Sequence, residues 1–168
     1  AVEERVEAKR EIAILLLTLS LSLSVFAEEA DVRRYELRDG NSIELKIPTS
    51  WKSELKDGPQ LPYVTITLQP RAGSPFDILI SPIVFQGNDT SSLSAKGIRR
   101  RVQAGIDIIR NRVVEKEVEV KELNDSTGPG YYYMVTDRAP KSGEYKYMTS
   151  GIVRVGDLAV SFTVLTND

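Results

Sequence analysis

The sequence predicts an α+β fold in which a mainly antiparallel sheet packs with helix. Three observations lead there. Short segments of two-residue alternation recur, as where Ile43, Leu45 and Ile47 alternate with Glu44 and Lys46. One stretch instead has helical periodicity, with Ile98, Val102, Ile106, Ile109 and Val113 on one side of a helical wheel. The blocks run as strands, then one helix, then strands again, which favours α+β over a regularly alternating α/β chain.

Each element has its own signal. Residues 32–38 and 42–47 read as a hairpin, because Asp39-Gly40 is a strong turn pair and glycine supplies positive φ without steric cost. Pro48 stops the second strand and Trp51 follows, with 52–62 read as loop. Residues 63–68 alternate, with Val64, Ile66 and Leu68 on one side, and 69–75 read as loop. Residues 76–85 are more continuously apolar, as in a central strand, with Pro82 marking a bulge or an edge position. Thr90, Ser91 and Ser92 are the candidate caps of the helix. Val118 and Val120 alternate with Glu117, Glu119 and Lys121, so 117–123 reads as a strand with one wet face. Strands at 131–138, 145–155 and 158–166 follow, the last pair joined by a Gly156-Asp157 turn. Thr166-Asn167-Asp168 resembles the lead-in to a helix, so a C-terminal helix beyond 168 is expected.

The chain has 168 residues, room for one domain, and its 41% hydrophobic content is enough for a packed core. Its first part reads as an address. The apolar run 12–26 is too short to span a bilayer comfortably, Lys9 and Arg10 precede it, and Val25-Phe26-Ala27 ends it with small residues where signal peptidase cuts. The expectation is a signal peptide over 1–27, cleaved after Ala27, and a single α+β domain over 28–168. Residues 1–9 mix acidic and basic side chains and begin without Met, so part of them reads as a non-native or displaced start. An uncleaved 12–26 segment acting as a membrane tether is the alternative.

Composition narrows the chemistry. There is no cysteine and no histidine, which excludes disulfides, thiolate or imidazole metal sites and Ser-His-Asp triads. Net charge is −2, so no overall electrostatic attraction to nucleic acid or to an anionic membrane is expected. Arg99, Arg100, Arg101, Arg110 and Arg112 crowd the helix, but the wheel distributes them over both flanks and the back. Glu115, Glu117 and Glu119 read as a solvated face, not a metal comb. Gly128-Pro129-Gly130 lacks the third glycine of a dinucleotide loop, and no Walker or calcium loop is present. No cofactor is expected.

Residues 130–147 hold five of the seven tyrosines. If Pro140 to Gly143 form a hairpin tip and Arg138 faces Tyr145, then Tyr132, Met134 and Thr136 share a face with Tyr145, Tyr147 and Thr149. Tyr131, Tyr133 and Val135 share the other face with Met148 and Ile152, and this second set makes the better core. A register slip of one residue would exchange the two sets. The candidate binding residues are therefore Tyr132, Tyr145 and Tyr147, with Trp51, which reads first as a core plug.

Two passages carry a family resemblance. SIELKIPTSW, residues 42–51, resembles the opening strand of PsbP-like domains, including the DcrB-like bacterial proteins, with its closing Pro and nearby Trp. GEYKYMTSGIVRVGDLAVSFTVLT, residues 143–166, resembles their closing hairpin before a terminal helix. The resemblance covers 33–166 as an order of elements and implies an α/β/α sandwich, usually exported and often accessory in role. No metal or catalytic residue of that group maps onto this chain.

The expected function is thus an exported, periplasmic or secreted, non-enzymatic binding or accessory protein. Its partner would be a protein or small ligand of the cell envelope, without nucleic acid, and with membrane contact only through the 12–26 segment. The alternative is an enzyme using Asp, Glu, Lys or Ser in a loop-built cleft.

Overall fold

The computed structural model describes Ile14–Leu15 and residues 29–38, 40–58, 63–83, 90–124 and 128–168. The expected signal segment and its cleavage point lie outside these residues, apart from Ile14–Leu15.

Among the described residues, two sheets and one α-helix make the fold. The strands are β1 (Ile14–Leu15), β2 (Ala30–Glu36), β3 (Ser42–Pro48), β4 (Trp51–Lys56), β5 (Thr65–Pro70), β6 (Phe76–Ile83), β7 (Lys121–Glu122), β8 (Gly130–Thr136), β9 (Tyr147–Val155) and β10 (Leu158–Thr166). The helix α1 spans Ala95–Ile109. The small sheet has the order β1-β3-β2, with β1 parallel to β3 opposite Glu44 and Leu45. The large sheet is antiparallel throughout, in the order β4-β5-β6-β10-β9-β8-β7. The α+β class and the mainly antiparallel sheet therefore match the sequence reading.

The pleat divides the core in two. On one face of the large sheet, Ile66, Leu68, Ile78, Ile80, Val153 and Val160 meet Tyr35, Leu37, Ile43, Leu45 and Ile47 of the β2–β3 hairpin. Arg33 Nη1 donates to Ser53 Oγ at 2.7 Å and Arg38 pairs with Asp57, tying the hairpin to β4 and the turn after it. On the opposite face, Ile98, Val102 and Ile106 of α1 meet Tyr131, Tyr133 and Val135. The layers run hairpin, sheet, helix, and no second helical layer lies among the described residues.

Several boundaries differ from the sequence reading for local reasons. The helix cap is Ser94, not one of residues 90–92: its Oγ accepts from Gly97 N at 3.1 Å and donates to Ser91 O at 2.6 Å. Residues 90–93 form a single 3₁₀ turn that abuts the helix start. A Cβ at Gly97 would stand 2.3 Å from Ser91 O, so only glycine lets that turn pack so closely. Val113 lies past the helix in extended backbone, bridged to Asp137. Residues 52–56, read as the beginning of a loop, form with Trp51 the edge strand β4. Among the described residues its outer edge has no partner strand, and Lys52, Glu54 and Lys56 give it the charged character of a protected edge. Pro82 sits inside β6 opposite Val160, where β5 no longer pairs, so its missing N–H breaks no ladder bond on that side.

Candidate functional site

The β8–β9 hairpin adopts the register drawn from the sequence. Thr136 faces Tyr147, Met134 faces Thr149 and Tyr132 faces Gly151. Tyr131, Tyr133 and Val135 are buried beneath α1. Tyr132, Met134 and Tyr147 emerge on the opposite, hairpin-side face. There the β2–β3 hairpin packs over the β5–β6 side of the sheet, and Met134 and Tyr147 remain 54% and 37% exposed. Among the described residues they form the one pair of large exposed apolar side chains on neighbouring strands. Lys146 Nζ lies 5.0 Å from the centre of the Tyr147 ring, a cation–π contact that keeps a charge beside the apolar strip. Thr136 and Thr149 complete the row with methyl and hydroxyl groups.

The other two candidates lie apart. Trp51 is half-buried on β4, its ring 4.9 Å from that of Phe76 at 67°, packed on the core beneath the hairpin. It is four strands away from Tyr147 in the sheet order, ~19 Å at ordinary strand spacing. Tyr145 precedes β9 and hydrogen-bonds to Asp77, which also accepts from Gln69 Nε2 at 2.7 Å. Asp77 faces the helix side, level with Leu165 and Met148. Simple alternation would set Tyr145 with Tyr147, but the strand has not yet begun at Tyr145, and the Asp77 carboxylate draws its hydroxyl to the other side. Burial, followed by the charge and hydrogen bond of Asp77, pushes the Tyr145 phenol up. Burial likewise raises Tyr133, partly offset by a hydrogen bond with Ser150. Both phenols are held neutral, which suits packing and donation better than proton abstraction.

The sequence reading missed Glu115, which it set on a solvated face. Both carboxylate oxygens lie 3.0 Å from Thr136 N, at the edge of β8. Val114 N donates to Thr136 O at 2.9 Å beside it. Continuing the β7–β8 register would bring residue 117 opposite Thr136, yet these groups already occupy that position. The predicted strand 117–123 therefore shrinks to Lys121–Glu122, while Val118 and Val120 pack half-buried against the helix-side core. Burial alone would raise the Glu115 carboxyl, but hydrogen bonds from Thr136 and from its own backbone outweigh it and hold the pKa below the ordinary 4.5.

A lowered folded-state pKa means that the charged carboxylate stabilises the fold above the unfolded pKa, and that this is lost as pH falls through the folded value. Glu115→Gln is expected to cost about 0.5–1.5 kcal/mol at neutral pH, the scale of one hydrogen bond at a screened site. Denaturation of both proteins from pH 7 down to about pH 3 should show the difference vanish below the ordinary glutamate value of 4.5. A pH-independent difference would assign the effect to packing.

Among the described residues, no three Asp or Glu side chains come together in a way that could hold a metal ion. Comparisons with protein-family models, curated proteins and solved structures found no match, so the site is read from its own residues.

Proposed function

We propose that this protein is an exported, non-enzymatic binding or accessory domain of the cell envelope, and that it recognises a protein partner through the hairpin-side strip of Tyr132, Met134 and Tyr147. The observation that carries this reading is the exposure of Met134 and Tyr147 as diagonal neighbours on adjacent strands of the sheet. An aromatic with a polar tip and a flexible thioether are favoured at interfaces, because both bury large apolar area and adapt to a partner's contour. The signal-like run 12–26 and the resemblance to PsbP-like domains support the exported, accessory role.

In-cell crosslinking of the tagged full-length chain, followed by mass spectrometry, tests it. A dominant adduct is expected with a mature N-terminus at Glu28, and it should be lost in Met134→Ala and in Tyr147→Ala while thermal unfolding stays within about 1 kcal/mol of wild type. An adduct pattern unchanged in both variants would overturn the assignment of this strip.

A further inference from the structure

The charge of the chain is unevenly placed. Residues 95–112, which are α1 and the 3₁₀ turn after it, hold six of the 22 basic residues and one of the 24 acidic ones. That segment is formally 6 − 1 = +5, and the rest of the chain is 16 − 23 = −7. All six cations are exposed. Four of them, Lys96, Arg99, Arg100 and Arg101, crowd the first seven residues of the helix, whose first turn has no acidic side chain. The positive end of the helix dipole repels them. Lys96 also stands three residues from Arg99 and four from Arg100, spacings at which like charges destabilise a helix.

Part of this charge is used locally. Arg99 lies 5.7 Å over the Tyr131 ring, Arg110 pairs with Asp107 at 3.0 Å and Arg112 with Asp137 at 3.6 Å. Tyr131 is buried and Asp137 partly so, but all three arginines are themselves exposed and keep their charge at the surface. Lys96 and Arg100 make no ion pair or hydrogen bond among the described residues. Ile108, seven residues after Arg101 and so on the same flank of the helix, stands 82% exposed, although its neighbours Ile106 and Ile109 turn inward.

We propose that the outer face of α1 docks on an anionic lipid bilayer. The helix is a convex ridge ~22 Å long, with cations around its exposed arc and an aliphatic side chain on one flank. A deformable, negatively charged surface meets Lys96 and Arg100 at the back of the ridge and moulds to the flank that carries Arg101 and Ile108. An acidic peptide would need a groove, and a convex ridge provides none. Docking this way relieves the repulsion that the folded helix carries alone. It also turns the Tyr132–Tyr147 strip, on the opposite face of the sheet, away from the membrane.

Co-sedimentation of the full-length chain with vesicles tests the proposal, using phosphatidylcholine alone and phosphatidylcholine mixed equally with phosphatidylglycerol. The apolar 12–26 segment would partition into both, so the readout is the excess on anionic vesicles. That excess is expected to fall at least about tenfold in Lys96→Glu/Arg100→Glu, which removes no bond within the fold. It should also fall when salt rises from about 0.1 M to 1 M and the Debye length shortens from about 10 Å to 3 Å. Ile108→Ser is expected to weaken binding to the anionic vesicles several-fold while keeping the salt dependence. No anionic excess, or an excess that the double charge reversal leaves intact, would overturn the proposal. So would an acidic protein captured through Lys96 and Arg100 without any vesicle excess.

Discussion

Ile106→Ala is expected to lower the unfolding free energy by about 2–5 kcal/mol, the range for emptying a fully buried aliphatic site. Ile106 has 0% exposure and stands in the helix-side core with Ile98, Val102, Tyr131 and Tyr133. Alanine is the better helix former, but by only a few tenths of a kcal/mol, too little to change the sign. Apart from this core and the Ser94 cap, the helix works against itself, since the cations of its N-terminal half repel one another and its first turn lacks an acidic residue. Ile108→Ala supplies the control: it is the same substitution two residues along the same helix, at a side chain 82% exposed. It should change stability by no more than about 0.5 kcal/mol. Urea unfolding followed at two probes measures both, and the midpoint should shift for Ile106 without a change in slope. Equal effects at the two sites would mean that the apolar stripe does not anchor the helix.

Such a contrast is legible in the sequence because periodicity reports which side of an element is buried. The helical stripe Ile98, Val102, Ile106 did so, and so did the alternation of Ile43, Leu45 and Ile47. The register drawn with Arg138 opposite Tyr145 is the one the structure adopts, but alternation alone left a one-residue slip open, since such a slip exchanges the two faces. Periodicity fails where polar groups or edges decide. In β4, two of the three inward positions are Trp51 and Leu55 and the third is Ser53, too faint a pattern against lysines and glutamates. At 117–123 the alternation is present, yet the partner edge is already filled by Glu115 and Val114, a side-chain event that spacing cannot reveal. Tyr145 departs from its alternation for the same kind of reason, a carboxylate on another strand. The candidate site was thus half legible: Tyr132 and Tyr147 share a face as the pattern predicts, Met134 joins them, and Trp51 and Tyr145 belong to other parts of the molecule.

Gly151→Ala is expected to destabilise the fold by about 1–3 kcal/mol, and its sign is the informative part. In an ordinary strand interior, alanine in place of glycine stabilises by roughly 0.5–1 kcal/mol, because glycine has more freedom to lose on folding. At position 151 the backbone is not the constraint; space is. A Cβ would stand 2.5 Å from Tyr131 O, 2.6 Å from the tip of the Phe162 ring and 2.7 Å from Tyr132 Cβ. Gly151 lies between Tyr132 and Phe162 in the cross-strand row, so its missing side chain lets the Phe162 ring lie across β9. Phe162→Leu shortens that ring and should recover part of the loss. The cost of Gly151→Ala is therefore expected to be smaller in the Phe162→Leu background than in wild type, yet not zero, because Tyr131 O is backbone and cannot swing away. A double-mutant cycle by chemical denaturation measures the difference. Additivity would place the conflict entirely at the Tyr131 carbonyl. A stabilising Gly151→Ala would mean that β8 and β9 stand farther apart than the close packing of Gly151 requires, and the spacing of Tyr132 from Tyr147 would widen with it.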